Sequence, residues 1–272
     1  MDKIRIIEAK ESLLADNDKD ADVLRSEMKV QNTFYVNVMS SPGSGKTTPL
    51  RAPIGRRRQQ FRIGVMEADI DSDVDAKAIA AMGIPTIQIH TGGMCHLDAD
   101  MSRQGLRALG AEAQDDGLRK LNGSTAAPSD SEPLSDSRAL SGNGVPSDRQ
   151  APSDDAASGT DHGLDLVFLE NVGNLVCPAE FDTGADMNVV ILSVPEGDDK
   201  PLKYPLMFEK ADVVLINKCD AMEVFDFDRE KAVRNIHLRH EACPVFFISA
   251  ASGEGLDEWC GYLAQKVTEY AG

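Results

Sequence analysis

Apolar positions along this chain fall into two patterns. From residue 3 to about 29, Ile4, Ile7, Leu13, Leu14, Val23 and Leu24 recur at roughly helical spacing among charges. That spacing predicts an amphipathic helix. From residue 34 onward, short β-branched runs take over: FYVNVM (34–39), RIGVM (62–66), TIQI (86–89), DLVFL (165–169), NVVILS (188–193), DVVLI (212–216) and VFFI (245–248). Several are apolar at nearly every position instead of alternating, the mark of strands buried on both faces of a parallel sheet. Helix-compatible segments separate most of them. The expected fold is α/β, a mostly parallel seven-stranded sheet flanked by helices. Residues 1–32 are expected to form an N-terminal helix packing on or preceding a single domain, 33–272.

One stretch breaks the rhythm. From about 110 to 163 the chain is rich in Ser, Asp, Pro, Gly and Ala, with few aliphatic residues and no aromatic one. Such a segment buries too little surface to offset its ordering entropy. Its start continues a helix running from Leu97 to about Leu121. The remainder reads as a disordered insertion and not a domain boundary, because strands of one sheet lie on both sides.

Bulk properties narrow the function. A formal net charge of -17 argues against nonspecific binding to nucleic acid or an anionic membrane. No apolar run approaches the ~18 residues of a membrane span. The start of the chain is charged throughout and does not read as a secretory signal. Five cysteines and no CxxC pair point to reduced thiols and a cytoplasmic protein.

The first strand runs into SSPGSGKTT, residues 40–48. The phosphate-loop pattern G-x-x-x-x-G-K-[ST] fails only at its first position, Ser40. Gly43, Ser44, Gly45, Lys46, Thr47 and Thr48 are intact. Backbone N–H groups there can curl around a phosphate, Lys46 can neutralise the β- and γ-phosphates, and the Thr47 hydroxyl can ligate Mg²⁺. The helix that follows contains Pro49 and Pro53. Pro53 removes an interior hydrogen bond at ~3 kcal/mol, which predicts a kink or early break near Ala52.

The sixth strand ends in Asn217-Lys218-Cys219-Asp220, the N-K-x-D pattern of guanine recognition. A carboxylate at Asp220 can accept from both the N1–H and the 2-amino group of guanine. Adenine lacks that pair, so it would leave a buried carboxylate unsatisfied. Lys218 is expected along the base plane. Ser249-Ala250 follows the seventh strand and offers a backbone N–H to the base oxygen. The fourth strand ends in Glu170-Asn171-Val172-Gly173, an E-x-x-G variant of the segment that senses a γ-phosphate. Glu170 is expected at the Mg²⁺, directly or through water, and the Gly173 N–H at the γ-phosphate. Asp69, after the second strand, is a second Mg²⁺ or water-positioning candidate. Asp71, Asp73 and Asp75 read as a solvated face. No glutamine or arginine finger is evident, so intrinsic hydrolysis should be slow.

In TGGMCHLDADM (91–101), Cys95 and His96 follow the third strand; Cys177 follows the fourth in ENVGNLVCPAEFD. Ligands of a parallel sheet gather at the carboxyl ends of its strands, where both segments emerge. Spacing alone leaves three readings: an inert thiol beside an exposed imidazole, a nucleophile with its base, or donors for Zn²⁺ or Ni²⁺. A site across a two-fold axis is equally open.

SSPGSGKTT, TGGMCHLDADM, ENVGNLVCPAEFD, VPEGDDKPLKYPLMF and LINKCD together resemble the HypB family of hydrogenase nickel-incorporation GTPases, over roughly residues 30–105 and 163–265. The resemblance implies a dimerising P-loop GTPase using GTP/GDP and Mg²⁺. It also implies a Ni²⁺ or Zn²⁺ site at the subunit interface, with Cys95, His96 and Cys177 as its residues. The implied partners are a HypA-type zinc/nickel accessory protein and the [NiFe]-hydrogenase large subunit precursor, with a homodimer when GTP or metal is bound. Met94, Ala68, Pro49 and Pro53 depart from the family's usual residues. A urease-type nickel GTPase and a metal-binding scaffold with a decayed nucleotide site stand as alternatives.

Overall fold

A computed structural model describes residues 9–69, 74–121 and 163–272. The helices are α1 (Ala9–Val30), α2 (Thr47–Arg57), α3 (Val74–Ala80), α4 (Ala99–Leu121), α5 (Cys177–Glu180), α6 (Lys200–Lys203), α7 (Pro205–Glu209), α8 (Arg229–His237) and α9 (Leu256–Ala271). The strands are β1 (Phe34–Ser40), β2 (Ile63–Asp69), β3 (Thr86–His90), β4 (Leu166–Glu170), β5 (Met187–Ser193), β6 (Val213–Asn217) and β7 (Val245–Phe247). They form one sheet in the order β3-β2-β4-β1-β5-β6-β7. Every pairing is parallel, so the sheet is wholly and not mostly parallel.

The central strands read as near-continuous apolar runs because both faces are covered. All seven residues of β1 are buried. One face carries Val36, Val38, Val65, Phe168, Val189 and Val213 against Leu50 and Ile54 of α2, Ile79 of α3, and Trp259 and Leu263 of α9. The other face packs against α1 and α4 through Leu24, Met28, Leu106 and Leu109. Farther along it packs against α7 and α8 through Met207, Phe208 and Ile236. Each fully buried aliphatic side chain contributes about 1.5–3 kcal/mol.

Helix α1 is tied down as well as packed. The Asn17 side chain donates to the Asp182 carbonyl (3.0 Å) and accepts from the Ala99 N–H (2.9 Å). Arg25 grips the Asp182 carboxylate. The positions expected to be a disordered insertion fall, from residue 122 to 162, outside the described residues. Helix α4 occupies the start of that segment but begins at Ala99, two residues later than expected. Residues 1–8 and 70–73, including Asp71 and Asp73, and the Asp75 side chain also lie outside them.

The expected break near Ala52 does not occur: α2 runs through both prolines. Pro49 lies in the first turn, where a main-chain N–H has no intrahelical acceptor anyway. Pro53 does remove a bond, the one its N–H would give to the Pro49 carbonyl. The indole Nε1–H of Trp259 donates to that carbonyl instead, at 3.3 Å.

Candidate functional site

The loops of interest leave the carboxyl edge of the sheet. Ser40 is the last residue of β1 and fully buried. The only non-glycine residues with positive φ among those described are Asn32 and Lys218. A serine is therefore tolerated where the phosphate-loop pattern has glycine. Lys46 occupies the position before α2, and Thr47 and Thr48 open the helix.

The guanine-pattern segment clasps this loop. Asn217 Nδ2 donates to the carbonyls of Ser44 (3.0 Å) and Gly45 (3.3 Å). Lys218 takes a left-handed conformation, φ 62°, and its Nζ donates to the Gly43 carbonyl (2.7 Å). That left-handed turn is uncommon for a residue with a Cβ; the Lys218 N–H donates to Asn217 Oδ1 within it (2.8 Å). Asp220 is held by the Ser249 hydroxyl, which donates to Oδ1 at 2.5 Å. The Ser249 N–H donates to the Glu254 carbonyl (3.0 Å), so it is already engaged within the loop.

Gly173 packs directly on the loop. A Cβ placed there would lie 3.2 Å from Lys46 Nζ and 3.3 Å from the Pro42 Cα and N. The segment after β4 thus packs against the phosphate loop. Glu170, 5% exposed, stands in register with Glu67 of β2, 4% exposed. Two neighbouring carboxylates withdrawn from water are unfavourable unless a proton, a donor or a cation stands with them. Carboxylate oxygens of this kind are the donor type that Mg²⁺ takes. Asp69 is the last residue of β2, opposite His90; its side chain lies outside the described residues.

Three features escaped the sequence reading. Glu67 was one charge inside an apolar strand. Asn171 Nδ2 donates to Asn37 Oδ1 (3.0 Å), and Asn37 Nδ2 donates to Asn188 Oδ1 (2.9 Å), a relay joining the segment after β4 to β1 and β5. Glu196, in VPEGDDK, accepts from the Ser193 N–H and hydroxyl and from the Ser41 hydroxyl, anchoring the entry to the phosphate loop.

The thiols meet on the same edge. Cys95 Sγ and Cys177 Sγ are 2.7 Å apart. Gly92 and Gly93 both take positive φ, 62° and 91°, the conformation glycine adopts without steric cost. The Thr91 hydroxyl closes that turn on the Met94 carbonyl (2.7 Å). On the other side Asn174 Oδ1 accepts the N–H groups of Val176 (2.7 Å) and Cys177 (3.3 Å). His96 makes a longer contact with the same thiol. Its ring stacks on Phe181 at 3.7 Å between centroids, and its Nδ1 is 3.9 Å from Cys95 Sγ. Burial lowers the imidazole pKa against the pull of Asp98 and Glu180. The hydrogen bond from Cys95, then burial, raises that of the Cys177 thiol. Among the described residues, no group of three or more His, Cys, Asp or Glu side chains is arranged to hold a metal ion. The two thiols touch within one chain, and the third expected donor, His96, lies 3.9 Å from Cys95 Sγ with its ring stacked on Phe181.

A family model described as CobW/HypB/UreG, nucleotide-binding domain, matches residues 34–244. The chain belongs to the CobW/HypB/UreG family. Within that family it is 36% identical to the hydrogenase maturation factor HypB of Escherichia coli strain K12, over 97% of this chain and 73% of the relative. It is 33% identical to the hydrogenase/urease maturation factor HypB of Helicobacter hepaticus, over 93% of this chain and 85% of the relative. The crystal structure of HypB from Helicobacter pylori in complex with nickel superposes with a TM-score of 0.70 at 32% identity, covering 93% of this chain and 96% of that one. HypB from Archaeoglobus fulgidus gives 0.68 at 28% identity, covering 93% and 99%.

Proposed function

We propose that this chain is a GTP-binding, GTP-hydrolysing metallochaperone that supports nickel insertion into [NiFe]-hydrogenase. One observation carries the reading: the N-K-x-D segment clasps the phosphate loop on the edge where the two thiols meet. Its relatives named as hydrogenase maturation factors, and the HypB structure in complex with nickel, support the same direction.

In this reading Asp220 accepts the guanine N1–H and 2-amino group, and the Ala250 N–H meets the base oxygen. Asn217 and Lys218 keep the phosphate loop in shape while Gly43 to Thr48 wrap the phosphates and Lys46 neutralises them. Thr47, Asp69 and Glu170 would hold Mg²⁺, which when bound spreads the charge developing on the phosphates. Gly173 offers its N–H to the γ-phosphate. Hydrolysis is slow without a further group from a partner or a second copy.

Nickel or zinc is cargo here. Cys95 and Cys177 supply two thiolates per chain, half of a four-coordinate site. Exposed Met94 and Val176 flank them, so a second copy is the natural source of the rest, with His96 as an outer donor. The chain segment from Glu170 to Cys177 joins the nucleotide site to the metal site, so each ligand changes the affinity for the other. Delivery goes to the hydrogenase large subunit precursor with a HypA-type accessory protein, in the cytoplasm.

Single-turnover GTP hydrolysis against a Lys46→Ala control tests the enzyme. Equal rates would leave only a metal-binding scaffold. Ni²⁺ affinity measured with GDP and with a nonhydrolysable GTP analogue tests the coupling, and equal affinities would sink it.

A further inference from the structure

We infer that Trp259 is a positioning residue for the phosphate-loop helix, supplying from α9 the hydrogen bond that Pro53 removes from α2. The inference rests on reading residues 43–48 as a nucleotide loop.

In an α-helix the N–H of residue 53 donates to the carbonyl of residue 49. Proline has no N–H, and its ring pushes that carbonyl away from the helix axis. Pro49 and Pro53 are both buried, so water is a poor substitute. An unsatisfied buried carbonyl at this point would loosen the first turn, two residues after Thr47. The first turn is what aims N–H groups and the positive end of the helix dipole at a phosphate.

Trp259 occupies the position needed. Its indole Nε1–H donates to Pro49 O at 3.3 Å, and its ring is 1% exposed. Phe246 and Tyr262 pack beside the ring. Two further contacts join the same helices: Arg56 pairs with Asp257 (3.2 Å) and donates to Cys260 Sγ (3.8 Å). Trp259 is the chain's one tryptophan, and its only polar atom is matched to the carbonyl that proline orphans. The C-terminal helix is thereby part of the apparatus that shapes the nucleotide loop.

The experiment is a double-mutant cycle on the full chain. Trp259→Phe keeps an aromatic ring and loses the N–H. Pro53→Ala restores a main-chain donor to Pro49 O. GDP affinity is read by calorimetry, at a temperature where thermal melts show each variant folded, with Lys46→Ala as the nucleotide-site control. In the natural background Trp259→Phe should weaken GDP binding roughly threefold to tenfold, the range of one buried hydrogen bond. In the Pro53→Ala background it should weaken it under about twofold, since packing losses common to both backgrounds cancel. Rescue of folding by Pro53→Ala, where Trp259→Phe alone fails to fold, also supports the pairing. Equal losses in both backgrounds, or a lower melting temperature with GDP affinity unchanged, would overturn it. So would failure of both tryptophan variants to fold while Pro53→Ala folds. If the unaltered chain binds GDP no better than Lys46→Ala does, the nucleotide reading itself falls and this role falls with it.

Discussion

Cys95 and Cys177 touch, Sγ to Sγ at 2.7 Å, although 82 positions separate them in the sequence. The contact exists because β3 and β4 flank β2, so the loops after them leave the same edge one strand apart. Neither loop is left to chance. A two-glycine turn presents Cys95, and Asn174 Oδ1 accepts the N–H groups of Val176 and Cys177 where the short helix begins.

If this pair is the metal-binding element, Cys95→Ala and Cys177→Ala should each abolish stoichiometric Ni²⁺ or Zn²⁺ binding. His96→Ala should cost less, about the 10–100-fold of a group that orients ligands, because the imidazole lies on Phe181. Metal titration with parallel measurement of oligomer size checks this. Unchanged stoichiometry in both cysteine variants would remove the site.

Gly173→Ala should impair hydrolysis more than binding. The added methyl meets the end of a flexible lysine, which can shift, but also the Pro42 backbone, which cannot shift without moving the phosphate loop. Lys46 displaced by a few tenths of an ångström still holds a bound phosphate but stabilises developing charge less well. Single-turnover hydrolysis should fall about tenfold or more, short of the ~10²–10³ of losing one charge-stabilising donor outright, with GDP affinity little changed. Equal losses in both would mean that the loop itself had distorted.

Most of the sheet was legible because two-sided burial writes itself as unbroken apolar runs, as in NVVILS and DVVLI. The SSPGSGKTT and N-K-x-D segments stood out in the sequence because the chemistry they suggest demands particular residues at fixed spacing, and the structure brings the two together. What could not be read depended on distant partners. Pro53 looked like a helix breaker, since nothing local shows that a tryptophan about two hundred residues on completes the bond. Asn37 reads as a lone polar intruder in FYVNVM until Asn171 and Asn188 are found on either side. Glu67 gains meaning only from its register with Glu170. The thiol contact followed from topology, but the stacking of His96 on Phe181 did not.

Asp220→Asn should change which base is preferred. The Ser249 hydroxyl can donate to an amide oxygen as well as to a carboxylate, so the loop should hold its shape. The amide nitrogen, however, then faces the guanine N–H groups, donor against donor. GTP affinity should drop roughly a hundredfold or more, as sites built around a specific hydrogen bond lose when it is removed. Xanthosine triphosphate, whose 2-oxo group accepts from an amide, should recover binding. Competition binding with the two nucleotides checks this, and an unchanged preference for GTP would take Asp220 out of the base site.

Acid stability should depend on Arg62 and Asp165. Arg62 donates to the Asp165 carboxylate from its main-chain N–H (2.7 Å), Nε (3.2 Å) and Nη2 (2.8 Å). Partial burial opposes the charge on Asp165, but these donors outweigh it and hold the carboxyl below its ordinary pKa. A carboxyl depressed in the folded state adds stability above its unfolded pKa of about 3.9, and that stability is lost as pH falls through the folded value. The Asp165 N–H and carbonyl also join β4 to its neighbours, donating to the Arg62 carbonyl and accepting from the Phe34 N–H. Arg62→Met keeps the main-chain donor and removes the guanidinium. It should move the acid-unfolding midpoint to higher pH while leaving the nucleotide edge of the sheet untouched. The difference from the natural chain should be constant at neutral pH and vanish below the folded pKa of Asp165. Parallel stability curves from pH 7 down to pH 2 would show that the ion pair adds nothing beyond the backbone bonds.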